Sequence, residues 1–130
     1  DNAITRAKLA QDALESPVIY MKGERNISAS DLGKTIVGEG AGESTYILTA
    51  DLDANLPSNF SVALIRVWGA STFKIKASGV RVFLDGVGEI SSGDTVTVEL
   101  LEYSTVALKR IATSPSKNTW MIIGNAEVVS

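Results

Sequence analysis

Between Asn59 and Ala77 the chain changes from one hydrophobic pattern to another. Asn59-Phe-Ser-Val-Ala-Leu-Ile-Arg-Val-Trp68 is apolar at nearly every position and rich in β-branched and aromatic residues, the signature of a strand covered on both faces. Thr72-Phe-Lys-Ile-Lys-Ala77 alternates strictly, with Phe73, Ile75 and Ala77 on one face and Thr72, Lys74 and Lys76 on the other, as a strand with one wet face does. The short Gly69-Ala-Ser71 connection predicts a hairpin, so an antiparallel ribbon with one buried strand is expected at the centre of the domain.

The same pattern recurs along most of the chain. Strands are expected at Val18–Lys22, Arg25–Ser28, Thr35–Val37, Ser44–Leu48, Val80–Leu84, Thr95–Glu102, Val106–Thr113 and Trp120–Ile123. The breaks between them are rich in Gly, Ser, Asn and Asp. Many short, closely spaced strands point to a sandwich or barrel and away from βαβ units.

Residues 1–16 are the exception. Thr5 is placed to cap a helix running to Glu15, Ile4 and Leu9 to form a hydrophobic staple, and Pro17 to end it. Ala3, Ala7, Ala10 and Leu14 make a narrow stripe on that helix. About ten residues fall below the ~12–15 at which an isolated helix is even marginal, so the segment is expected to dock on its own domain or to self-associate.

Composition then narrows the chemistry. At 130 residues the chain is one domain's worth, long enough to bury a core without disulfides. It contains no cysteine and no histidine, which removes thiolate nucleophiles, His-ligated zinc and any Ser-His-Asp triad. Twelve basic against 15 acidic residues give a net charge of −3, which argues against nucleic acid or an anionic membrane as a partner. No apolar run approaches the ~20 residues of a membrane-spanning helix, and no secretory signal is visible. The opening Asp1-Asn2-Ala3, without methionine, is read as the start of a fragment of something longer.

The candidate sites are weak when weighed one by one. Gly38-Glu-Gly-Ala-Gly42 has the wrong spacing for a phosphate loop and carries Glu39 and Glu43, which would repel one, so it reads as a flexible turn. Asp51 and Asp53 resemble the start of a calcium loop, but Leu56 and Val62 stand where glycine and glutamate are needed, so no metal or other cofactor is expected. Asp85 and Glu89 fall in a turn, where acidic residues are ordinary, and nothing fixes the separation that glycoside hydrolysis requires; no enzyme activity is expected. Among the aromatic residues, Trp68 and Trp120 belong to apolar runs and read as core or subunit interface. Tyr46 and Tyr103 lie beside turns and are the candidates for exposed, receptor-binding rings.

Taken in order, several patches resemble C-terminal modules of bacteriophage tail fibres and related receptor-binding virion proteins. Ile4-Thr-Arg-Ala-Lys-Leu-Ala10 is similar to segments of fibre shafts and shaft-to-tip junctions, and Ser28-Ala-Ser-Asp-Leu-Gly-Lys-Thr-Ile36, Ser44-Thr-Tyr-Ile-Leu48 and Leu56-Pro-Ser-Asn-Phe-Ser-Val62 resemble successive parts of a fibre-tip β domain. Ser91-Ser-Gly-Asp-Thr-Val-Thr-Val98 and Asn118-Thr-Trp120 look like its closing strands; Leu101–Arg110 and the tail to Ser130 depart from the pattern. The resemblance implies an all-β, antiparallel, jelly-roll-like sandwich over residues 17–130, joined through residues 1–16 to a fibre shaft and assembled as a homotrimer on the virion. It further implies attachment to a host-cell surface receptor, a polysaccharide in particular, without catalysis and without membrane insertion. The alternative is a structural trimerisation cap that touches no receptor. The resemblance assigns no binding residue.

Overall fold

The computed structural model describes residues 17–39, 42–67, 71–113 and 118–129, and over these the chain is all-β. The helix expected in residues 1–16, Trp68 and the Gly69-Ala70 connection lie outside the described residues. In chain order the strands are β1 (Val18–Met21), β2 (Gly23–Asn26), β3 (Thr35–Gly38), β4 (Gly42–Thr49), β5 (Ser61–Arg66), β6 (Ser71–Ser78), β7 (Arg81–Leu84), β8 (Gly88–Ser92), β9 (Val96–Leu100), β10 (Ser104–Thr113), β11 (Asn118–Gly124) and β12 (Ala126–Val128). A 3₁₀ turn at Ala29–Asp31 precedes β3, and a single helical turn, α1 (Ala50–Asp53), follows β4, with the Thr49 hydroxyl accepting the Leu52 amide at 3.2 Å as its cap.

Among the described residues the strands form a seven-stranded sheet in the order β1-β3-β5-β10-β11-β7-β8 and a five-stranded sheet in the order β12-β9-β6-β4-β2. Both sheets are mixed. From β1 to β6 the chain alternates between the sheets, so that β1, β3 and β5 run parallel in one and β2, β4 and β6 run parallel in the other. The later strands add antiparallel neighbours: β10 beside β5, β9 beside β6, and β12 beside β9.

This overturns three expectations. The sheets are not purely antiparallel, and β5 and β6 are not a hairpin, because they belong to different sheets: β5 lies between β3 and β10, and β6 between β4 and β9. Adjacent apolar and alternating runs with a short break carry no label saying which sheet each strand joins. Nor is β5 covered on both faces; Val62 and Leu64 are buried while Ala63 and Ile65 are only half-buried.

The alternation itself is followed closely. Val62, Leu64, Val106, Leu108, Trp120, Ile122, Val82 and Leu84 come from the seven-stranded sheet and join Tyr46, Leu48, Phe73, Ile75, Ala77, Val96, Val98 and Leu100 from the five-stranded sheet in one continuous apolar cluster. Phe60 and Trp120 meet edge to face in it, with ring centroids 5.7 Å apart. Close packing dictates some glycines. A Cβ at Gly38 would stand 3.0 Å from the Phe73 ring, and one at Gly124, where φ is +131°, would lie 2.5 Å from the Thr105 carbonyl oxygen.

Candidate functional site

Two buried carboxylates organise the interior and set apart the polar groups that hold the fold from those free to do anything else. Asp53, 3% exposed, accepts Arg110 Nη2 at 2.5 Å and Trp120 Nε1 at 2.7 Å on Oδ1, and Asn118 Nδ2 on Oδ2. The Arg110 guanidinium, 5.1 Å from the Trp120 ring centroid, also donates to the carbonyls of Asp53, Leu56 and Pro57. It thereby fastens the segment between α1 and β5 onto β10 and β11. Arg110 Nε has no partner among the described residues, and nothing nearby accounts for it.

The second carboxylate, Asp31, is fully buried and receives Arg25 Nη2 at 2.7 Å and the Tyr46 hydroxyl at 2.8 Å. Burial, reinforced by the hydrogen bond to Asp31, pushes the Tyr46 phenol well above its ordinary pKa. The same carboxylate raises the Arg25 guanidinium through its hydrogen bond.

These networks correct the sequence reading of Tyr46. Tyr46 is 0% exposed and points into the core on β4, so it cannot present its ring to a receptor in this fold. Its neighbours Ser44 and Leu48, buried at the same phase of the strand, fix that direction. Asp53 faces Arg110 while Asp51 is exposed, so the two do not converge as calcium ligands, and no group of three ligating side chains converges among the described residues. Glu89 is paired with Arg81 at 2.9 Å, while Asp85 is exposed at the turn. Tyr103 is exposed as expected, at 71%, in the β9–β10 turn, where its φ of +59° lies in the left-handed region that bulky residues seldom occupy. Tyr103 and Tyr46 are not brought together.

The outer faces of the two sheets differ sharply. Across the seven-stranded sheet two outward rows are largely apolar, Val18–Thr35–Ala63–Ala107–Ile123 and Tyr20–Val37–Ile65–Thr105, while the next, Ser61–Lys109–Met121–Phe83–Glu89, mixes apolar and charged side chains. Val37 is 9% exposed although it stands outside the core cluster. Val18, Tyr20 and Ile123 are exposed there.

Across the five-stranded sheet the corresponding row is Glu24–Thr45–Lys74–Glu99–Glu127, and the next is Asn26–Ile47–Lys76–Thr97. This face holds a groove of about 560 Å³. Gly23, Thr45 and Thr97 contribute little bulk to it, whereas Glu24, Glu43, Lys74, Lys76 and Val129 stand around it. Lys74 Nζ is 3.0 Å from Glu43 Oε1. Lys76 and Glu24 have no ion-pair partner among the described residues. Among the described residues, no aromatic side chain lines the groove.

The sequence reading named Lys74, Lys76 and Thr72 as a wet face but did not foresee a groove, because the strands that complete it, β2 and β4 on one side and β9 on the other, are joined only by pairing across the sheet. No helix among the described residues is long and apolar enough to cross a membrane. Comparison with family models, curated proteins and solved structures finds no match to this chain.

Proposed function

We infer that the domain is a non-catalytic attachment module of a fibre-like assembly: a two-layer β-sandwich that associates through the apolar outer face of its seven-stranded sheet and turns the polar groove of its five-stranded sheet to the outside. The observation that carries this reading is the contrast between the two outer faces. One presents Val18, Tyr20 and Ile123 to solvent, and the other presents lysine, glutamate and threonine around a depression of about 560 Å³. The resemblance to bacteriophage tail-fibre tips supplies the setting: three copies about one axis, a shaft entered through residues 1–16, and a host-cell surface polysaccharide as receptor. Three equivalent grooves on one particle would convert weak single contacts into firm attachment through effective concentration. A structural cap would need the apolar face but would have no use for the groove, which is why attachment is favoured.

The test is retention of fluorescently labelled protein on a panel of bacterial cells. Saturable binding to a subset of strains, removed when surface polysaccharide is oxidised with periodate, is expected. Absence of saturable binding across the panel would overturn the attachment reading and leave the cap.

A further inference from the structure

We propose that the groove on the five-stranded sheet takes an acidic saccharide, with Lys76 as the anchor for a single carboxylate. This rests on the attachment reading and narrows it to a ligand class. Of the two lysines on β6 that line the groove, Lys74 is already neutralised by Glu43 at 3.0 Å, and Glu99 stands directly opposite it on β9. Lys76 is different. Its cross-strand neighbours are Ile47 on β4 and Thr97 on β9, both uncharged, and it is exposed with no ion pair or hydrogen bond among the described residues.

An ammonium in that position offers donors for a carboxylate, and the Thr97 hydroxyl beside it offers another. Toward the other side, the Glu24 carboxylate and the Thr45 hydroxyl, paired across β2 and β4, are acceptors suited to sugar hydroxyls. The lining thus combines one unpaired cation, one unpaired anion and two hydroxyls, a pattern that matches a polyhydroxylated ligand bearing one negative charge. A polyanion is disfavoured, because Glu24 and Glu43 line the same depression and the chain carries a net charge of −3. A neutral sugar is disfavoured as well: without an aromatic ring to stack on, its hydroxyls would only exchange hydrogen bonds with water for equivalent bonds to protein.

Calorimetric titration of the full chain with a trisaccharide bearing a single uronate, with its methyl ester and with heparin tests this. The free acid should bind at least about tenfold more tightly than the ester, the factor expected from losing one charge-assisted hydrogen bond, and more tightly than heparin. Lys76→Ala and Lys76→Gln should each lower affinity for the acid about tenfold, Lys76→Arg should retain most of it, and Lys34→Ala, in the loop before β3, should change nothing; thermal melts establish that each variant is folded. Equal binding of acid and ester, tighter binding of heparin, or indifference to both Lys76 substitutions would overturn the proposal. Labelled-cell binding run in parallel separates it from the attachment reading. Cells that retain the protein while the trisaccharide does not bind would refute the groove chemistry alone; trisaccharide binding that depends on Lys76 with no retention on any cell would refute attachment alone.

Discussion

Arg110 occupies the phase of β10 at which Val106 and Leu108 are buried, and there it meets Asp53, Trp120 and three backbone carbonyls. A cation at an inward position of an apolar strand is visible in the sequence; that its carboxylate partner is Asp53, 57 residues earlier, is not, because the pairing depends on how the segment after β4 folds back. Replacing Arg110 with Ala leaves Asp53 buried without its cation and should destabilise the domain by about 3–5 kcal/mol in urea melts. Tyr46 illustrates the same limit. Its position beside a glycine-rich turn suggested exposure, yet the alternation Ser44, Tyr46, Leu48 places it inside, hydrogen-bonded to Asp31. A phenol whose pKa is raised on folding holds its proton more tightly in the native state, so its contribution is complete below the ordinary tyrosine value near 10 and is lost as pH rises above it. Tyr46→Phe should therefore cost roughly 1–3 kcal/mol at neutral pH and should flatten the decline in stability above pH 10; parallel alkaline decline in the two proteins would contradict the assigned environment.

Among the elements, β5 and β6 were legible as strands and in phase, but their partners were not. Phe60, Val62, Leu64, Phe73 and Ile75 are all buried, as their alternation implies, while the hairpin between them does not exist. Phase is written locally, every second residue, whereas sheet membership is decided by strands tens of residues away. The strands missed, β8 and β12, are short and exposed at most of their positions, so they carry little hydrophobic signal. Phe60→Ala or Phe73→Ala should cost about 3–5 kcal/mol, and Lys76→Ala no more than about 0.5 kcal/mol. Denaturant melts that rank the lysine change with the phenylalanine changes would show that the outer face of β6 is covered in solution.

For the molecule as a whole, the apolar face of the seven-stranded sheet sets the expected state of assembly. Sedimentation equilibrium at micromolar concentration should give three times the chain mass of 13.7 kDa, and Ile123→Glu, on the exposed part of that face, should shift the mass toward the single chain while leaving the melting of the monomer nearly unchanged. A single-chain mass for the unaltered protein would rule out this assembly. The winding of β1 to β6 between the sheets also dictates the order in which the protein can be finished. Strand β5 gains its second neighbour only when Ser104–Lys109 arrives, and β6 only when Val96–Leu100 arrives. At about 5–20 residues per second of synthesis, the first half of the chain waits seconds with the flanks of β5 and β6 unpaired. During that interval a second nascent copy offers the same edges, so the pace of translation and the spacing of ribosomes on the message become determinants of how much protein reaches the native state.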